Sequence, residues 1–404
     1  MKAGWNLVQL GELTEPSSPI TYGVIKPGEE GDVLFVRGGD ISDGNIRINQ
    51  LRTITREISE QYSRTLLKGG ELLMCLVGQP GQVAIAPHHL AGANIARQVG
   101  LIRLQSNLNA EFIKYFLQSP DGQQKLGAQT GGSVQQVINL SDLRTIEIPL
   151  PSAAEQQRIV AILDEAFEAI AVARYNAEQN RQNARALLKS YLQSVFSQHG
   201  DGWVEKPLED LIESNVIGLT KNSREQGEDK TWPYVKMNNI TRENNFDLSS
   251  FTCVDATVEE VSKFSLRNGD FLFNTRNSHE LVGKSCIYES NSFDTVLYNN
   301  NIMRIRFRHD IYARFILFAF SFKDVVDQLH AMKSGTTNVS AIYFKDLKSL
   351  VIPVPPISEQ KKLSSKLAII ATETKRLESL YQRKIAALDE LKQSLSQQAF
   401  SGQL

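Results

Sequence analysis

The stretch PLPSAAEQQRI at 149–159 returns 204 residues later as PVPPISEQKKL at 353–363. An internal repeat constrains a fold more tightly than composition does, because both copies must satisfy one architecture. The repeat runs along the whole chain. Gly4-Trp5 and Leu10 recur as Gly202-Trp203 and Leu208, and LLKGGELL (66–73) recurs as SLRNGDFL (265–272). EFIKYFL (111–117) matches RFILFAF (314–320), TGGSVQQVINLSDL (130–143) matches SGTTNVSAIYFKDL (334–347), and Phe196 matches Phe400. The interval grows only from 198 to 204, so the second copy carries small loop insertions and no rearrangement.

Each copy has two parts. Residues 1–150 and 199–354 alternate short β-like runs (DVLFV, ELLMCLV, VGLIRL; WPYVKM, DFLFN, NIMRIRF) with Gly, Asn and Asp turns, plus one helix-like segment each. That pattern predicts α+β heads. Residues 151–198 and 355–404 are different: from Glu155 to Phe196 and from Glu359 to Phe400 there is neither Gly nor Pro. Pro-x-Pro ends the preceding strand and sets an extended entry. Ser152 with Glu155 has the form of a capping box; Pro356 stands at the matching place in the second copy.

In these segments apolar residues alternate at spacings of four and three, the coiled-coil seam. The predicted seam runs through Ile159, Leu163, Ile170, Leu187 and Tyr191 in one copy. In the other it runs through Leu363, Leu367, Ile370, Leu377, Leu388, Leu391 and Leu395. An isolated helix is marginal in water, so each needs a partner. The reading adopted is that the two copies pair with each other, as rods of about 60 Å. The competing reading packs each helix onto its own head.

At 41% apolar and 22% charged residues with a net charge of −1, the chain has the composition of an ordinary soluble protein. Any polyanion site must therefore be a local patch. Three scattered cysteines, Cys75, Cys253 and Cys286, argue against a disulfide framework or zinc site, and no signal-peptide or membrane-spanning run is present. A cytoplasmic, non-membrane protein is expected. No catalytic constellation stands out. VGKS at 282–285 fails as a phosphate loop because Ser278 occupies the place of the required glycine, and His88-His89 lacks a third ligand. Neither cofactor nor metal is expected.

What remains is polar loop chemistry of the kind that reads base edges and holds phosphates. The candidates in the first head are Arg37, Gln79, Gln82, Arg97, Thr130, Ser133, Gln135 and Gln136. In the second they are Lys236, Asn238, Asn239, Asn274, Arg276, Asn277, Ser278, His279, Lys284, Thr336, Thr337 and Asn338. Such residues also populate any surface loop. In NIMRIRFR, Arg304, Arg306 and Arg308 alternate with apolar residues, so a strand would place three guanidiniums on one face, toward phosphate or toward solvent. The first copy keeps only Arg103.

With these features together, the sequence resembles the specificity (S) subunit of type I restriction–modification systems. The motifs that carry the resemblance are IPLPSAAEQQRIVAIL and IPVPPISEQKKLSSKL, the preceding TGGSVQQVINLSDL and SGTTNVSAIYFKDL, and the terminal AFSGQL. The resemblance implies two target-recognition domains (1–150 and 199–354). It implies two conserved spacer helices (151–198 and 355–404) forming an antiparallel coiled coil. Each recognition domain would read one half of a split, asymmetric site in double-stranded DNA. The helices would set the spacing and dock two copies of the methyltransferase (M) subunit, with a translocase/nuclease (R) subunit as an optional partner. The chain itself would be non-catalytic, S-adenosylmethionine-dependent adenine methylation and ATP-driven cleavage belonging to the partners. The other class of function is a duplicated coiled-coil scaffold that holds proteins rather than DNA.

Overall fold

The computed structural model describes residues 4–131, 136–198, 200, 202–290, 292–336 and 338–404, with the side chains of 130 and 131 left aside. The candidates Ser133, Gln135 and Thr337 lie outside the described residues, and of Thr130 only the backbone is described. The chain forms two compact units, Met1–Glu178 with Gln382–Leu404, and Gln179–Tyr381. Each unit includes the start of one long helix and the end of the other.

In the first unit, Asn6–Gln9 pairs antiparallel with Glu147–Leu150, tying the beginning of the head to the strand before Pro-x-Pro. A four-stranded sheet runs in the order Thr21–Tyr22, Val99–Ile102, Leu72–Cys75, Val83–Ile85. The two central strands, VGLI and LLMC, are buried at every position, which is why they read as apolar runs rather than alternations. A second sheet joins Arg52–Ile54, Val33–Val36 and Asn94–Ile95. Helices Ala110–Gln118 and Pro120–Ala128 follow, the first capped by Asn109 and the second by Ser119 with Pro120 at its first position.

The second unit repeats this plan. Val204–Pro207 pairs with Val351–Val354. The four-stranded sheet runs Ile212–Ile217, Ile302–Phe307, Phe271–Asn274, Ser285–Ile287, and the helix pair is Ala313–Ala319 and Lys323–Ala331. Gly70 and Gly269, 199 residues apart, both adopt positive φ (91° and 95°). This is a turn that favours glycine, and it delivers Glu71 and Asp270 into equivalent strand starts.

The long helices are Ala153–Ser197 and Ile357–Ser401, and they lie antiparallel along one another. Within the first unit the beginning of one meets the end of the other: Arg174 pairs with Asp389 at 3.0 Å, and Arg158 donates to the carbonyl of Leu404 at 2.7 Å. Within the second unit Arg185 pairs with Glu378 at 2.9 Å. Phe400 packs edge-on against Phe112 and Phe116 in a core that also holds Ile159 and Leu163. Its repeat mate Phe196 packs against Phe315 and Phe322 in a core that holds Leu367. Each head's core is thus completed by the far end of the other copy's helix. Among the described residues no helix is long and apolar enough to cross a membrane.

Along the seam, Ile159, Leu163, Ile170 and Leu367 are buried, while Tyr191, Leu363, Ile370, Leu377, Leu388 and Leu395 are half-buried. Leu187 and Leu391 depart from the expected seam, standing 62% and 47% exposed. Near the middle the inward positions are Ala177, Ala184 and Leu188 in one helix and Tyr381, Ile385 and Leu388 in the other. A helix of 3.6 residues per turn drifts away from a strict 3.5-residue alternation, and extrapolating that alternation lands one residue off.

Candidate nucleic-acid interface

Several residues expected at an interface are instead scaffold. Arg304 is 6% exposed, and its guanidinium donates to the carbonyls of Lys263 and Ser265 at 3.2 and 2.9 Å. Arg306 holds Asp270 through Nε and Nη2 at 2.6 and 3.0 Å. In the first copy Arg103 performs both tasks: it reaches Glu71 at 3.4 Å and the carbonyls of Arg64 and Leu66 at 3.0 and 2.7 Å. The strand face bearing the alternating arginines is therefore covered by the segment leading into Asp270, and its charges close a loop. Arg37 likewise holds Asp40 from Nε and Nη2 at 3.0 and 2.8 Å and caps the carbonyl of Gln50.

Asn239, buried, donates to the carbonyls of Asp247 and Ser250 and accepts from the Lys236 N–H at 2.8 Å, which commits both of its amide hydrogens and one lone pair of its oxygen. Buried Asn274 donates to the carbonyls of Arg276 and Asn301 and accepts from Asn277. Asn277 also accepts from the Ser278 N–H, and the carbonyl of Ser278 takes the N–H groups of Leu281 and Val282. Lys284 donates to the carbonyls of Met237 and Ile240, and burial, with Arg242 nearby, pushes its ammonium below the usual lysine value. These polar groups fix loop shape, and a group so committed has little left for a ligand.

A smaller set is brought together at the surface, at the same place in each head. In the first unit, Val77 bridges to Val137, and the Gly78 N–H donates to the carbonyl of Gln136, so the tip beside exposed Gln79 lies along the hairpin of Thr130–Gly131 and Val137–Ile138. Gln82 sits nearby, accepting from the Asp43 N–H at 3.2 Å. A cleft of about 360 Å³ opens between these loops, lined by Tyr22, Ile25, Val77, Arg97 and Asn139.

In the second unit, Arg276 and Asn277 pair with Ala341 and Ser340, which pair in turn with Ser334 and Gly335. Arg276, His279, Thr336 and Asn338 are exposed around this three-stranded ribbon; Asn238 is exposed in a separate turn. Among the described residues neither Arg97 nor Arg276 forms an ion pair, so both guanidiniums are available to an anion.

Two contributors were missed in the sequence. Lys333 opens the ribbon and donates to the carbonyl of His279 at 2.8 Å, and Tyr22 lines the cleft of the first head. Nothing in local spacing marks either, since each becomes part of a surface only through strand pairing. Among the described residues no three His, Cys, Asp or Glu side chains gather as a metal site. The surface offers guanidinium, ammonium, amide and hydroxyl groups, suited to base edges and phosphates.

A family model described as the type I restriction modification DNA specificity domain matches residues 2–179 and again 200–385. The specificity subunit of the type I restriction enzyme EcoKI from Escherichia coli K12 is 22% identical over 422 aligned residues, covering 99% of this chain and 89% of that protein. The EcoBI specificity subunit from Escherichia coli is 30% identical over 197 residues, 48% of this chain and 40% of that one, so the chain spans less than half of that relative. A solved chain from work on complex assembly and conformational transition of the type I R-M system aligns with a TM-score of 0.80 at 21% identity, covering 100% of this chain and 99% of its own. The HsdS subunit from Thermoanaerobacter tengcongensis aligns at 0.63 and 20% identity, covering 100% and 98%. At these identities the structural likeness is one of fold.

Proposed function

The chain belongs to the type I restriction modification DNA specificity family, and on that premise we propose that it is the DNA-reading subunit of a type I complex. Each head reads one half of a bipartite, asymmetric site, and the paired helices set the spacing between halves. Methylation and cleavage lie with partner subunits, and the assembly works in the cytoplasm. The observation that carries this reading is the recurrence of one loop pairing at repeat-equivalent positions: residues 77–78 against 136–137, and residues 276–277 against 340–341. The scaffold beneath is shared while the exposed residues differ, which is what two readers of different sequences require.

The same repeat suggests where partners dock. Leu187 and Leu391 are repeat mates, and both are exposed on the long helices away from the seam. We assign them to the docking of two identical methyltransferase subunits, one at each. Mapping methylated adenines in cells that express this chain with its methyltransferase partner tests the whole reading. A two-part, asymmetric motif is expected. Methylation without a sequence motif, or a motif that is unchanged when this chain is replaced by another specificity subunit, would overturn it.

A further inference from the structure

Among the described residues, two ion pairs between the long helices, Arg174–Asp389 and Arg185–Glu378, are repeat mates with a fixed distribution of charge. Arg174 Nε lies 3.0 Å from Asp389 Oδ1, and Arg185 Nε lies 2.9 Å from Glu378 Oε2. Adding the repeat interval of 204 carries Arg174 to Glu378 and Arg185 to Asp389. The two contacts are therefore one contact written from either end, and at both positions the first copy is basic and the second acidic. An antiparallel pair made from two first-copy helices would set Arg174 against Arg185. A pair made from two second-copy helices would set Glu378 against Asp389.

Side-chain size is divided in the same way. Ala166, Ala173, Ala177 and Ala184 on the first helix correspond to Ile370, Leu377, Tyr381 and Leu388 on the second. All eight positions are buried or half-buried. Two first-copy helices would leave voids along this stretch, and two second-copy helices would crowd it. Charge and volume thus give the same answer independently.

We infer that the two long helices are mutually selective: each accepts the helix of the other copy and rejects its own kind. Pairing of like helices between chains is then disfavoured, and every pair that forms joins a first-copy helix to a second-copy helix. The inference concerns pairing and stands whether or not the heads read DNA. Exposed ion pairs are individually weak. Selection comes from the difference between two attractions and two repulsions, as charged flanking positions select partners in coiled coils.

The test uses the full chain and two double variants with the same net charge. R174E/E378R opposes two carboxylates in the contact with Asp389 and two guanidiniums in the contact with Arg185. It therefore repels inside the chain, while it makes both self-pairings attractive. R174E/D389R reverses one pair and keeps both internal attractions. Sedimentation at micromolar concentration reads the dimer-to-monomer ratio, and calorimetry reads the melting midpoint. Relative to R174E/D389R, the R174E/E378R chain is expected to show a dimer-to-monomer ratio raised about tenfold, or a midpoint lower by about 2–4 °C if it remains single. Equal ratios and equal midpoints in the two variants would show that these residues do not choose the partner.

Discussion

Asn109 donates its backbone N–H to the side-chain oxygen of Gln156 at 3.0 Å, joining the start of a head helix to the first turn of the long helix. Gln156, 2% exposed, spends its amide nitrogen on the carbonyl of Pro151. The second copy repeats the joint: the Tyr312 N–H donates to Gln360 at 2.8 Å, and Gln360 donates to the carbonyls of Asp310 and Pro355. The repeated Glu-Gln after Pro-x-Pro is thus a clamp that holds each head against the beginning of its own long helix.

Gln360→Ala should therefore destabilise the second unit although it touches no ligand. It strands two backbone carbonyls and one N–H, and losing buried partners costs about 1–3 kcal/mol. Urea unfolding followed by tryptophan fluorescence checks this; an unchanged midpoint would mean that water replaces the clamp without loss.

Arg306 and Arg276 should behave oppositely. Arg306→Ala leaves the Asp270 carboxylate, 3% exposed in its side chain, without its charge partner, which costs about 2–3 kcal/mol for an arginine that is itself partly solvated. The methylation motif should be unaffected. Arg276→Ala should leave stability within about 0.5 kcal/mol and weaken binding of the second half-site by about 1–3 kcal/mol. Thermal melts paired with methylation mapping separate the two outcomes.

The helix cap at Glu260 gives a pH prediction. Its carboxylate accepts from the Thr257 N–H at 2.9 Å, and this bond first, then Lys221, holds it below the usual glutamate value. A group lowered in the folded state contributes its stability above the unfolded value near 4.5, and the contribution fades as pH falls through the lower folded value. Glu260→Gln should flatten the fall of the melting midpoint between neutral pH and pH below 4.5. A variant that follows the parent across that range would remove Glu260 as a contributor.

On the long helices, Leu367→Ala should cost about 2–5 kcal/mol, because Leu367 is fully buried in the core of the second unit. Leu391→Asp should leave the helices paired, since Leu391 is 47% exposed, and should weaken capture of the methyltransferase partner. Helicity by circular dichroism together with co-purification distinguishes a broken seam from a lost docking site.

Much of this architecture was legible in the primary structure. The interval of about 200 residues announced the duplication, and the absence of Gly and Pro over forty residues announced the long helices. Legibility failed where a face had to be known as open or covered. The alternation of Arg304 and Arg306 correctly places both on one side of a strand, but residues 263–270, some forty positions away, cover that side. Asn239 and Asn274 read as exposed loop amides and are buried pins, because the fold brings carbonyls of other segments onto them, those of Asp247 and Ser250 onto Asn239 and that of Asn301 onto Asn274.

The sequence alone determined the twofold plan, the α+β heads and the paired helices, since periodicity and repetition are properties of a linear string, and its repeated motifs carried the resemblance to the family that the family model matches. Tertiary structure decided which polar side chains remain free, such as Arg97 and Arg276, and which close loops, such as Arg304 and Asn239. It also revealed that Arg174 faces Asp389 while Arg185 faces Glu378. The physical reason is that hydrogen-bond capacity and charge are spent on whichever groups the folded chain brings within about 3 Å, and a one-dimensional pattern cannot say which groups those are.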